Sequence, residues 1–358
     1  LDGFGVGGEN QVYLDLTHIP AETLTRKLGA ILEIYEMFVG DDPRYVPMRI
    51  FPGVHYSMGG LWADYERTAA GGLQLGSPVN QATNIPNLYA IGECDYQYHG
   101  ANRLGANSLL SCIFSGLIVA PGIETLFASQ KGAAADLNAS LFSQEVKKHQ
   151  AAHDALLKRP AGNENPYLVH QELGDVMTKA ATVVRRNDQL EDAYSTVMDL
   201  HERAKKCSLS DTGNWTNQNV VFTKALLDMF PLAKAIVKGA WQRDECRGAH
   251  YKPAFEMPSL KSEDPAGRRQ EAEQWCDRFD ENTKKWLKST IATWNGNEPV
   301  ITYEDVDTSL ITPRPRLYGL VGAEEIAKVW KERQAKKQAT SGEHENGAAK
   351  AAVAGVAS

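Results

Sequence analysis

The sequence predicts a chain of α/β plus all-α class, in which an α/β part precedes an antiparallel helix bundle and a small α+β domain. Three observations support this order. Short β-type runs alternate with Gly, Pro and Asn over residues 44–92. Helical periodicity then dominates residues 136–242. Residues 247–333 mix turns and proline-rich links with one final helix.

The first predicted elements are a short strand over residues 12–16 and a helix that begins after Pro20. Proline is tolerated in a first helical turn. Residues 40–43, Gly-Asp-Asp-Pro, end the helix. Its apolar residues recur at helical spacing: Leu24, Leu28, Ile31, Leu32 and Tyr35.

The middle of the chain predicts a buried strand over residues 87–92 and a helix over residues 108–127. The most apolar run of that helix, residues 109–120, is shorter than the ~20 residues that span a bilayer. We therefore expect a buried core helix and no direct membrane span.

The helix bundle is expected to break at residues 160–166 and 208–214, where Pro, Gly, Ser and Asn cluster. The final helix of the chain contains Ile326, Val329 and Trp330. After it, Ala, Lys, Glu and Gly predominate without apolar anchors, which predicts a disordered tail over residues 335–358.

Composition argues against two classes of function. The net charge is −7 and no basic stripe is evident, so nucleic acid is a poor partner. The five cysteines form no C-x-x-C pair, so no metal site is expected.

Glu93 follows the predicted strand directly. Ligands of open α/β folds bind beyond the carboxyl ends of strands, and a carboxylate there can accept both hydroxyls of a ribose. A solvated loop acid is equally compatible with this position.

Ser108 precedes the apolar helix and is a natural N-cap. A helix N-terminus offers amide donors and a partial positive charge. Nearby Arg103 carries a planar fork that fits a carboxylate. On the residues alone, an ordinary ion-paired arginine is the better supported interpretation.

Two further segments carry candidate cations. His55 precedes Gly59 and Gly60, which would allow a close backbone approach to a ligand. The histidine could donate to a substrate carboxylate, although a lone histidine is more often structural. Residues 247–250, Arg-Gly-Ala-His, are interpreted as a basic helix C-terminus.

Three motifs together resemble one family. They are His-Tyr-Ser-Met-Gly-Gly at 55–60, Pro-Asn-Leu-Tyr-Ala-Ile-Gly-Glu at 86–93 and His-Gly-Ala-Asn-Arg-Leu-Gly-Ala-Asn-Ser-Leu-Leu at 99–110. The same order is typical of succinate dehydrogenase and fumarate reductase flavoprotein subunits. L-aspartate oxidase has a similar trio. However, residues 247–250 and the pattern at 280–288 resemble the succinate dehydrogenase C-terminal domain.

The resemblance implies the following domain organisation. Residues 1–53 would end a capping domain, and 54–130 would form the C-terminal part of a Rossmann-like FAD-binding domain. Residues 136–246 would be the helical bundle domain and 247–334 the C-terminal domain, before the tail at 335–358.

The resemblance also assigns roles to candidate residues. Glu93 would bind the FAD ribose, while Ser108 and Leu109 would meet the flavin. His55 and Arg103 would hold the dicarboxylate. We expect no catalytic residue in this chain, because the family's proton-shuttling arginine and glycine-rich FAD loop would lie upstream of Leu1. The chain by itself is then an inactive fragment.

For the whole protein, the resemblance implies oxidation of succinate to fumarate, or the reverse, by hydride transfer to FAD. Electrons would pass to an iron–sulfur subunit and through it to a quinone-reactive membrane anchor. The protein would lie peripherally at the cytoplasmic face of the bacterial inner membrane. The alternatives are an L-aspartate oxidase-type enzyme and, for this fragment, a non-catalytic module that docks a partner.

Overall fold

A computed structural model describes residues 5–51, 53, 55–96, 98–162, 164–309 and 311–337. It divides into two compact units between Ser57 and Met58. Most of the tail predicted to be disordered, from residue 338 onwards, lies outside the described residues.

The first unit contains a two-stranded antiparallel sheet and one helix. Strand β1, Val12–Leu14, pairs with β2, Met48–Ile50. Helix α1, Ala21–Val39, follows Pro20 and ends at Gly40, whose φ of 85° lets its amide donate to Glu36. The predicted helix is confirmed, and the predicted strand is two residues shorter than expected.

The second unit begins with irregular chain, and the buried strand predicted at residues 87–92 is wrong. In the described part of this segment, Tyr89 forms one isolated bridge, to Ala82. Leu88 and Ile91 are exposed. A strand needs a continuous row of hydrogen-bonding partners, whereas this segment forms one bridge and two backbone hydrogen bonds, from Thr83 to Leu88 at 2.8 Å and from Ala90 to Gln81 at 3.0 Å.

Helix α2, Asn107–Ser129, is longer than predicted. It is the one helix among the described residues that is long and apolar enough to span a membrane. The length of the apolar run therefore does not by itself exclude a span, and the absence of a span stays a prediction. The expectation of a buried core helix is wrong, because Leu109 and Leu117 are 74% and 69% exposed. One face is packed, and a Cβ on Gly122 would lie 2.4 Å from the Ser77 carbonyl oxygen.

Four helices follow, and the breaks predicted at 160–166 and 208–214 are confirmed. They are α3 (Ala139–Leu157), α4 (Pro166–Ala181), α5 (Asn187–Ala204) and α6 (Gln218–Gln242). The break between α4 and α5 was not predicted. Helices α4, α5 and α6 share one apolar core, which includes Val169, Leu173, Val197, Leu200, Leu226 and Phe230.

The remaining part combines helices with a hairpin, in agreement with the predicted α+β character. Helix α7, Pro265–Trp286, was not predicted. It precedes strands β3 (Lys288–Trp294) and β4 (Pro299–Asp305), which pair antiparallel. Residues 323–337 are helical, which confirms the final helix but extends it three residues into the tail that was predicted to be disordered from 335. This helix and α7 share a core that contains Leu260, Ala272, Trp275, Cys276, Ile326 and Val329.

Candidate substrate and cofactor site

The N-terminus of α2 forms the centre of the candidate site. Ala106 has a left-handed backbone with φ of 64°, and no side chain caps this end of the helix. The prediction that Ser108 is the N-cap is wrong, because the left-handed Ala106 starts the helix before it. The Asn107 amide donates to the carbonyl oxygen of Leu104 at 3.3 Å. The next amides of the first turn have no side-chain cap and suit a negatively charged or hydrogen-bond-accepting ligand.

Arg103 is half-buried beside this helix end. Its Nη1 donates to the Ser108 hydroxyl oxygen at 3.4 Å. The loop itself is closed by a hydrogen bond from the Asn102 amide to the carbonyl oxygen of His99 at 3.3 Å. A permanent cation and a helix N-terminus thus lie together, an arrangement that suits an anionic ligand.

His99 holds the start of the same loop against α2. Its Nε2 lies 3.1 Å from the Ser111 hydroxyl oxygen, and that hydroxyl donates to the Ser108 carbonyl oxygen at 2.8 Å. Because the serine proton is already donated, His99 donates through Nε2. The loop that carries Arg103 is therefore tied to the first turns of the helix.

Glu93 lies in a short 3-10 turn, Gly92–Cys94, and is exposed. Gly92 has φ of 76° and donates its amide to the Ser115 hydroxyl oxygen at 2.9 Å. The turn with Glu93 and the loop with Arg103 are thus both fastened to α2.

Ser115 supports the site through its bond with Gly92 but belongs to none of the predicted site residues. Its signal was present in the sequence, because Ser111 and Ser115 stand four residues apart in an otherwise apolar helix and so share one face. That face is buried.

Gly60 does make a close approach, but to the chain's own backbone. A Cβ at this position would lie 2.4 Å from the Cys94 carbonyl oxygen and 2.6 Å from that of Asp95. The Leu61 amide donates to the Cys94 carbonyl oxygen at 2.7 Å. A Cβ on Gly59 would meet nothing within 4 Å. Gly60 therefore supports the turn that carries Glu93.

His55 is exposed and belongs to the first unit, whereas Arg103 belongs to the second. The two residues predicted to bind the dicarboxylate therefore belong to different compact units, and each is described within its own unit. Leu109, predicted to meet the flavin, lies in the first turn of α2 with an exposed side chain.

The prediction that residues 247–250 end a helix is wrong. Helix α6 ends at Gln242, and Arg247 and His250 instead pair across a tight turn. The amide of Ala249 donates to the carbonyl oxygen of Ala101 at 2.9 Å. This turn therefore contacts the loop that carries Arg103.

Comparison with known proteins decides the family. A family model for the fumarate reductase flavoprotein C-terminus matches residues 170–318, and an FAD binding domain model matches residues 2–109. The succinate dehydrogenase flavoprotein subunit of Bacillus subtilis is 44% identical over 316 residues, which cover 88% of this chain and 47% of that protein. The chain belongs to the succinate dehydrogenase and fumarate reductase flavoprotein family.

Other members of this flavoprotein family are similar over the same span. The fumarate reductase flavoprotein subunit of Haemophilus influenzae is 30% identical over 87% of this chain and 45% of its own length. A solved quinol fumarate reductase of Escherichia coli matches with a TM-score of 0.68 at 26% identity, over 86% of this chain and 46% of that one. The chain thus spans about half the length of the relatives it matches.

FAD is the cofactor of this flavoprotein family, and the site fits it. The uncapped end of α2 offers amide donors. The turn that carries Glu93 begins with Gly92, which has no side chain to obstruct a ligand. A flavin carries carbonyl acceptors that suit such donors, and its ribose carries hydroxyls that suit a carboxylate.

Proposed function

We propose that this chain forms part of a flavoprotein subunit that oxidises succinate to fumarate or catalyses the reverse reaction. The observation that carries the proposal is the position of Arg103 at the uncapped N-terminus of α2. This pair provides two adjacent sources of positive potential, one for a substrate carboxylate and one for the cofactor.

In this proposal, Arg103 binds one carboxylate of the substrate through its planar fork, and His55 donates to the substrate as well. Such positioning contributes to the rate because it replaces random encounter by a fixed geometry. When bound, FAD supplies the two-electron redox chemistry. The residue that moves the proton is proposed to lie in a part of the flavoprotein outside this chain.

Glu93, Ser108 and Leu109 are proposed to contact FAD. The exposed carboxylate of Glu93 would accept from the ribose hydroxyls. The first turn of α2, which contains Ser108 and Leu109, would favour negative charge on the flavin through its amides and the helix dipole.

The proposed partners are an iron–sulfur subunit and, through it, a quinone-reactive membrane anchor. One solved relative is a quinol–fumarate reductase with menaquinol molecules, which matches with a TM-score of 0.66 at 25% identity. We propose a peripheral arrangement here, at the cytoplasmic face of a bacterial inner membrane, with membrane association through partners and not through α2. The domain boundaries given above, with the FAD-binding part at 54–130, belong to this proposal.

An Arg103→Lys substitution in the full-length, FAD-loaded protein tests the substrate role. Lysine keeps the charge but loses the planar fork, so succinate turnover is expected to fall on the order of 10- to 100-fold, as for loss of one charge-assisted bond. FAD content, measured by flavin absorbance, should be retained.

The matched control is Arg269→Lys, whose guanidinium pairs with Glu273 and Glu332 in the C-terminal part of the chain. It should leave turnover unchanged. Unchanged succinate turnover in Arg103→Lys would refute the role of Arg103. Flavin reduction by succinate, compared with reduction by aspartate, separates this proposal from the aspartate oxidase alternative.

A further inference from the structure

We infer that Gly248, in the turn of residues 247–250, is a positioning residue that sets the location of Arg103. This inference rests on the proposed function, in which Arg103 binds a substrate carboxylate. Gly248 is far from Arg103 in the sequence, but the fold brings its turn into contact with the Arg103 loop.

The contact is between two backbones. Ala249 donates its amide to the carbonyl oxygen of Ala101 at 2.9 Å. Gly248 has φ of 57°, and a Cβ on it would lie 2.2 Å from the Ala101 carbonyl oxygen and 2.5 Å from its carbonyl carbon. Only glycine fits this approach without displacing Ala101, which stands two residues before Arg103.

The turn is closed and held from behind. Arg247 and His250 form two backbone hydrogen bonds with each other, of 2.9 and 3.0 Å. The guanidinium of Arg247 lies 2.9 Å from the carboxylate of Glu245, which is fully buried. Arg243 contacts the same carboxylate at 2.6 Å. The turn is therefore anchored by a buried carboxylate that pairs with two arginines.

The ion pair of Glu245 and Arg243 is hydrogen-bonded to the C-terminal part of the second unit. Arg243 donates to the carbonyl oxygen of Lys288 and to the hydroxyl oxygen of Thr290, both at 2.9 Å. Asn282 of α7 donates to Glu245 at 3.3 Å. The turn is therefore braced by α7 and β3.

The Arg103 loop is consequently held from two directions. His99 bonds it to Ser111 of α2, and Ala101 bonds it to the braced turn. A shift of Ala101 by about 1 Å would carry Arg103 out of alignment, and misplacement on that scale can reduce a rate ~100-fold.

The test is Gly248→Ala in the full-length, FAD-loaded protein. Malonate serves as the probe, because it carries two carboxylates but cannot be desaturated. Its Kd is measured from the change in flavin absorbance, alongside FAD content and kcat and KM for succinate. We expect malonate binding weaker by about 10-fold or more with FAD retained.

Gly319→Ala is the matched control. Gly319 also has a positive φ, 76°, but a Cβ there would meet nothing within 4 Å. It shares the backbone strain of Gly248→Ala without the collision. A malonate Kd for Gly248→Ala equal to that of Gly319→Ala would overturn the inference.

A double-mutant cycle shows whether Gly248 acts through Arg103. In an Arg103→Lys background, Gly248→Ala should weaken malonate binding much less than in the wild type, and full additivity would contradict the inference. If Arg103→Lys alone leaves binding intact, the proposed role of Arg103 fails and this inference fails with it. If Arg103→Lys weakens binding but Gly248→Ala does not, only the inference fails.

Arg247→Gln replaces Gly248→Ala if the latter does not accumulate with FAD. It keeps the glycine and the backbone of the turn but loses the ion pair with Glu245, which remains paired with Arg243. A several-fold increase in the malonate Kd is expected. An unchanged Kd would count against the inference.

Discussion

Nδ1 of the buried His250 lies 2.6 Å from Nη1 of Arg185. Since arginine only donates, this nitrogen accepts, and the imidazole proton is on Nε2, 2.8 Å from the carbonyl oxygen of Arg243. Burial, and then the positive charge of Arg185, lowers the pKa of His250 to about 4. The turn of residues 247–250 therefore contains a neutral histidine at physiological pH.

Stability should fall in mildly acidic solution because of His250. An unfolded histidine titrates near pH 6.5, whereas the pKa of folded His250 is about 4. Between these values the unfolded state binds a proton that the folded state does not, so the free energy of unfolding falls as the pH is lowered. The full loss is about 3 kcal/mol.

Urea unfolding of the full-length protein at pH 7 and pH 4.5 measures this loss. The His250→Asn variant, which lacks the titrating group, should lose less stability between the two pH values than the wild type. Equal losses would show that His250 does not contribute to the pH dependence.

Gly60→Ala should reduce FAD content. The added methyl collides with the carbonyl oxygens of Cys94 and Asp95 and must shift the turn that carries Glu93. Gly59→Ala is the adjacent control, because its Cβ meets nothing within 4 Å. The ratio of flavin absorbance to protein absorbance in the purified variants gives the comparison, and equal ratios would contradict the prediction.

Glu245→Ala should be strongly destabilising. It leaves the guanidinium groups of Arg243 and Arg247 without their shared buried carboxylate, a loss of about 3–5 kcal/mol for a broken buried ion pair. Glu202→Ala, which removes a surface pair with Lys205, should change the unfolding midpoint little. Similar midpoints for both variants would mean that the buried network adds no stability.

Leu226→Ala should destabilise the helix bundle by about 2–5 kcal/mol. Leu226 is fully buried in the core that α4, α5 and α6 share, so the substitution leaves a cavity. Val221→Ala on the same helix is the control, because Val221 is 68% exposed. Chemical unfolding curves distinguish the two, and an equal effect would place Leu226 outside the stabilising core.

The sequence alone determined the positions of α1 and α2 and the family. Pro20 and Gly40 mark the ends of α1 because helix initiation and termination depend on neighbouring residues. The motifs at 55–60, 86–93 and 99–110 indicated the family because they preserve residue types in a fixed order. Both kinds of information are local, so no contact between distant segments was needed.

Only the tertiary structure decided what these local segments contact. The predicted strand at 87–92 forms a single β-bridge. The N-cap of α2 is the left-handed Ala106 and not Ser108. Gly60 meets the backbone of Cys94, and Gly248 meets that of Ala101. The reason is that a helix satisfies its backbone hydrogen bonds within its own segment, whereas strand pairing and close backbone contacts need partners brought from distant parts of the chain.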